Sequence, residues 1–123
     1  MYYDGKVIGI DNCGIAGLSY GLYRDISEFI IVTIPEALGV RQTERIIKDF
    51  DEYELRVNHL IVNYIIQQAD CDFHKIRKEM QQNYVQILKN QYSQRIGLIE
   101  VPLMPQEVKG VERISKISEI LFK

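Results

Sequence analysis

The chain has 123 residues, of which 26% are charged, and a formal net charge of −2. Such a length holds one domain with one modest core, and the charge balance creates no global field that would recruit nucleic acid or anionic lipid. Two cysteines do not make a secreted disulfide framework, and no apolar run approaches the ~18 residues of a membrane span, so a cytoplasmic protein that is not membrane-embedded is expected.

Residues 1–22 stand apart and are left unassigned. "DGKVIGIDNCGIAGLSYGL" combines a short strand, Lys6 to Ile10, with Gly14, Gly17 and Gly21. A phosphate-cradling loop needs G-x-x-x-x-G-K-[ST], and Gly5-Lys6 is followed by Val7 with no glycine ahead of it. The dinucleotide pattern G-x-G-x-x-G is absent too.

From residue 28 the periodicity is regular. "EFIIVTIP" is a β-branched run stopped by Pro35, the pattern of a strand buried on both faces. "RQTERIIKDFDEY" puts Ile46, Ile47, Phe50 and Tyr53 on one helical face. "VNHLIVNYII" predicts a second buried strand. "FHKIRKEMQQNYVQILKNQY" predicts a long helix with Phe73, Ile76, Met80, Tyr84 and Ile87 inward. "RIGLIEVP" predicts a third strand closed by Pro102, and "GVERISKISEILF" a last helix with Val111, Ile114, Ile117 and Leu121 inward. Strands alternating with helices in this way predict an α/β fold, a parallel sheet with flanking helices.

One short motif carries chemistry by itself. Cys71-x-x-His74 has the spacing of half a tetrahedral zinc site, and the other cysteine and histidine are Cys13 and His59. Either all four converge, or a second chain completes the site, or no metal binds.

A longer pattern is more specific. "TIPEALGV", "TERII", the strand end "LIVN" and "VPLMPQEVKGVE" stand in an order and spacing that resembles the arsenical pump-driving and tail-anchored-protein-targeting ATPase family. This ArsA-type resemblance is closest to archaeal members and runs from Tyr23 to Phe122, making residues 23–123 the C-terminal part of the ATPase domain. The implied fold is the C-terminal half of a P-loop NTPase of the SIMIBI type. The implied cofactor is ATP or ADP, held here by its adenine end only.

The resemblance assigns adenine recognition to Asn63, whose amide offers both a donor and an acceptor. It also assigns the adenine-binding loop to Pro102, Leu103, Met104, Pro105, Gln106, Glu107 and Val108, and a place near nucleotide at the dimer face to Glu36. At Cys71 and His74 the family commonly has C-x-x-C, each protomer of a homodimer giving two ligands to one shared zinc. Here the second position is His74, itself a competent ligand. His59 begins the strand that Asn63 to Ile66 ends, on the order of 20 Å from Cys71 at ~3.3 Å per residue, and falls outside the pair.

No catalytic residue is assigned. The family hydrolyses ATP with a P-loop and switch carboxylates, which do not occur in this sequence. The expectation is adenine-nucleotide binding and zinc-bridged dimerisation. The partner is a second copy or a chain carrying the P-loop half, and the family's clients are tail-anchored membrane proteins or an arsenite pump. The alternative is a non-catalytic regulatory subunit or a degraded remnant.

Overall fold

The computed structural model describes residues 2–3, 6–7 and 28–122. Strands β1 (Tyr2–Tyr3) and β2 (Lys6–Val7) pair antiparallel. The strand expected from Lys6 to Ile10 is therefore described only over its first two residues, and Cys13 lies outside the described residues.

The main body alternates strand and helix. It runs β3 (Phe29–Thr33), α1 (Ala37–Glu52), β4 (Val57–Ile65), α2 (Asp72–Tyr92), β5 (Gly97–Pro102) and α3 (Val111–Leu121). The last three strands form one parallel sheet in the order β3-β4-β5, with β4 in the centre. This is the α/β arrangement expected from the periodicity.

The core lies between the sheet and helices α1 and α2. Phe29 and Ile31 of β3 and Leu60 and Val62 of β4 meet Val40, Ile47 and Phe50 of α1 and Val85, Leu88 and Tyr92 of α2. Phe29 and Phe50 pack edge to face, their ring centroids 4.9 Å apart. Helix α1 ends in a Schellman turn: Leu55 N–H donates to the Phe50 carbonyl and Glu54 N–H to that of Asp51, with Glu54 in the left-handed region. Arg95, just before β5, ties this corner down with two hydrogen bonds to the Asp51 carboxylate, 3.0 and 3.1 Å long.

Three burial expectations need correction. β3 is not buried on both faces: Phe29, Ile31 and Thr33 face the helices, whereas Ile30 and Val32 are exposed, Val32 by 61%. Both helices that join the strands cover one side, so alternation along a strand becomes alternation between core and open face. In α2 the buried residues are Gln81, Val85, Leu88 and Tyr92. Phe73, Ile76 and Ile87 are exposed, and Tyr84 only borders the core. The true stripe is offset by about one residue, roughly 100° around the helix, and a polar residue heads it. In α3 no residue is buried, and Val111 is 87% exposed. Of the four residues expected inward, only Ile117 and Leu121 are half-buried, and they line a cleft rather than a core.

At the start of α1 the chain makes a close approach. A β-carbon on Gly39 would overlap the Ile34 carbonyl oxygen and crowd Thr33 Oγ1 at 3.1 Å. Gly39→Ala should therefore destabilise the fold by about 1–3 kcal/mol, the usual range for overpacking. Urea unfolding of the two proteins measures it, and equal midpoints would show that the Ile34 turn yields freely.

Among the described residues, no helix is long and apolar enough to cross a membrane.

Candidate functional site

In a parallel sheet the carboxyl ends of the strands face the loops that hold ligands. Here those ends are Ile34 after β3, Asn63–Ile65 in β4 and Pro102 closing β5. Between the last two lies a cleft of about 710 Å³, within the ~300–1,000 Å³ range of small-molecule sites.

Asn63 and the whole loop Pro102–Val108 line this one cleft. Its floor and far wall are apolar, from Val32 and Ile61 of the open sheet face and Ile117 and Leu121 of α3. A flat, weakly polar ring fits such walls, with a polar reader at one edge. Asn63 places a side-chain amide at the edge of the cleft. Its Oδ1 accepts the Tyr64 N–H at 2.9 Å, and among the described residues this leaves both Nδ2 hydrogens and one Oδ1 lone pair uncommitted.

The loop is held at both ends. Leu103 N–H donates to the Ile65 carbonyl at 2.8 Å. Arg113 of α3 donates to the Glu107 carbonyl at 2.9 Å, and Lys109 pairs with the Glu107 carboxylate at 2.6 Å. Pro102 and Pro105 restrict the segment further, so little entropy remains for a ligand to remove.

Glu36 is placed elsewhere. It is the N-cap residue of α1, makes no side-chain cap and is ion-paired with Arg77 of α2. The pair borders a separate hollow of about 240 Å³, which shares only Tyr64 and Leu103 with the Asn63 cleft. Arg77 also lies 5.9 Å from the Phe73 ring centre.

Cys71 and His74 are both exposed at the start of α2, with Cys71 Sγ 3.1 Å from His74 Nδ1. Zinc bonds of ~2.3 Å to sulfur and ~2.0 Å to nitrogen set a tetrahedral edge of roughly 3.5 Å. The pair needs to open by only a few tenths of an ångström to chelate one ion, so these residues fit half a site. Among the described residues no third histidine, cysteine or carboxylate joins them. His59 is committed to Glu28 at the other end of β4, 2.8 Å away.

A hollow of about 680 Å³ near Asp51, Arg56 and Arg95 rivals the cleft in size. It sits at the amino ends of the strands, and its Arg95 and Asp51 already satisfy each other.

Two residues, one lining the main cleft and one behind it, are not singled out by sequence reasoning. Tyr64, in the left-handed region at φ 60°, stands between the two hollows. Gln81, buried in α2, donates to the Tyr64 carbonyl and accepts the Ile66 N–H, both at 2.9 Å. A polar residue inside a helical apolar stripe is the one signal that marks Gln81.

The sequence pattern of the family described as anion-transporting ATPase matches residues 22–123. The ATPase get3 of Pyrenophora tritici-repentis is 32% identical over 102 residues, covering 80% of this chain and 30% of the relative. The ATPase get3 of Sclerotinia sclerotiorum is 32% identical over 107 residues, 83% of this chain and 31% of the relative. That of Schizosaccharomyces japonicus is 32% identical over 100 residues, 80% and 31%. The chain thus spans about a third of the length of the curated relatives it matches.

Proposed function

The chain belongs to the anion-transporting ATPase family, and we propose that it carries the adenine end of that family's nucleotide site. The observation that carries this reading is the convergence of Asn63 and the loop Pro102–Val108 on one apolar-walled cleft at the strand ends. An amide with a donor and an acceptor matches the N6 and N7 edge of adenine, while the apolar walls take the faces of the ring.

The phosphates would be held by the part of the relatives this chain does not span. ATP hydrolysis then belongs to a whole assembly, and its work is the handling of tail-anchored membrane proteins, with arsenite export as the family's other task. In that assembly Glu36, held by Arg77, faces the second protomer near nucleotide. Cys71 and His74 each give one ligand to a zinc shared by two chains, and the exposed Phe73 and Ile76 beside them support an interface there.

Base contacts alone give weak binding, about −4 kcal/mol or millimolar, and adenosine should bind nearly as well as ATP. Asn63→Ala should weaken adenosine binding by about 1–3 kcal/mol, the cost of leaving the polar edge of the bound base without its partner. Titration of both proteins with adenosine and guanosine tests this. Guanosine binding as well as adenosine, or an Asn63→Ala chain with unchanged affinity, would remove the reading.

A further inference from the structure

The strand that carries Asn63 is irregular at that residue. β4 pairs with β5 in register up to Val62↔Glu100 and resumes at Ile65↔Pro102. Asn63 and Tyr64 thus stand against the single residue Val101, the two-against-one count of a β-bulge. Such a bulge re-aims side chains. It is also where Tyr64 takes φ 60°, a conformation uncommon for any residue with a β-carbon and an outlier for a bulky one.

A left-handed tyrosine persists only where its surroundings over-determine it. The neighbouring strands do not do so: β3 pairs with β4 only as far as Thr33↔Val62, and on the β5 side Leu103 N–H takes the Ile65 carbonyl and passes Tyr64 by. The support comes from α2. Gln81 is 5% exposed, and its two amide atoms bracket the turn, Nε2 donating to the Tyr64 carbonyl and Oε1 accepting the Ile66 N–H, each at 2.9 Å. A side-chain amide here supplies the partners that β3, ending at Thr33, does not reach. Asn63 Oδ1 closes the turn from within by taking the Tyr64 N–H.

We propose that Gln81 is a positioning residue of the cleft: its buried amide holds the Asn63–Tyr64 bulge in the left-handed turn that aims the Asn63 amide at a ligand. The consequence for binding rests on the adenine reading above; the clamp on the turn does not. With Oδ1 already carrying one hydrogen bond, the amide cannot rotate freely, so its Nδ2 hydrogens meet the ligand in one orientation. A base that presents an acceptor beside a donor is then selected before it arrives.

The experiment uses the full chain in four forms: wild type, Gln81→Leu, Tyr64→Gly and the double variant. NMR reads the φ-dependent coupling at residue 64 and the hydrogen exchange of the Ile66 amide, and a titration reads adenosine affinity. Gln81→Leu should lose the residue-64 turn, expose the Ile66 amide to exchange and weaken adenosine binding by about tenfold. In the Tyr64→Gly background the same change should weaken binding by less than about threefold, because glycine takes φ > 0 without support. A purely structural glutamine would give the same loss in both backgrounds, and that result overturns the proposal. So does an unchanged coupling at residue 64 in Gln81→Leu. If Gln81→Leu does not fold, Gln81→Glu keeps the acceptor for Ile66 and removes the donor to Tyr64, and the same readouts decide. A wild-type chain that ignores adenosine, with the turn lost in Gln81→Leu, supports the clamp and removes the adenine reading instead.

Discussion

Truncating Phe50 to alanine should destabilise the fold by about 3–5 kcal/mol. Phe50 is 1% exposed and stacks edge to face on Phe29, so the change removes a whole ring from the contact between α1 and the sheet. It also sits at the start of the turn that ends α1, its carbonyl accepting the Leu55 N–H. Collapse of the cavity would have to drag that turn inward, so little relaxation is available. A domain of this size has about 5–15 kcal/mol in total, and a loss of this magnitude leaves a large unfolded fraction at physiological temperature. Thermal unfolding should shift down by well over 10 °C, at roughly 4–8 °C per kcal/mol. Val32→Ala is the internal control: Val32 lies on the open sheet face, and a surface change of this kind stays within about 0.5 kcal/mol. A Phe50→Ala chain that unfolds within 2 °C of wild type would show that the core does not lie between α1 and the sheet.

The contrast between Phe50 and Val32 also explains what the sequence makes legible. Ile47 and Phe50 announce themselves because apolar side chains at helical spacing, flanked by charges, have one place to go. The three strands are visible for a similar reason: each is a β-branched run ended by a proline or a polar turn. Composition alone says nothing about which face of a strand is covered. Ile30 and Val32 look as buried as Ile31, and only the placement of both connecting helices on one side separates them. Helix α2 misleads for the opposite reason. Its buried stripe begins with Gln81, and the competing row of Phe73, Ile76, Met80 and Ile87 is the more hydrophobic one. Apolar residues on an exposed row and an amide in the core both signal that something other than core packing selects them. The site is legible in the same uneven way. Asn63 and the Pro102–Val108 loop come from motif and strand-end logic together, and they share a cleft. Tyr64 and Gln81 are hidden because a bulge is a property of pairing between strands 35 or more residues apart, which no local window contains.

Removing the Cys71 thiolate should abolish zinc binding rather than reduce it. The reason is symmetry. If two chains share one ion about a two-fold axis, every substitution occurs twice, so Cys71→Ser deletes two of four ligands and leaves two imidazoles. Structural zinc sites contribute about 10–16 kcal/mol in apparent binding energy, and that energy depends on a closed four-ligand set. The geometry in each protomer is already near the required bite, with Sγ and Nδ1 3.1 Å apart on an exposed first turn of α2. The wild-type chain should bind one zinc per two chains, and its mass under native conditions should be that of a dimer. Chelator should return it to monomer, as should Cys71→Ser or His74→Ala. Acidification should do the same, because both ligands must give up protons to coordinate. The α/β core should survive each treatment, since neither residue touches the buried cluster, so circular dichroism should not change as the dimer dissociates. One zinc per chain would place the missing ligands within a single polypeptide. A dimer indifferent to chelator would assign the interface to the exposed Phe73–Ile76 row alone.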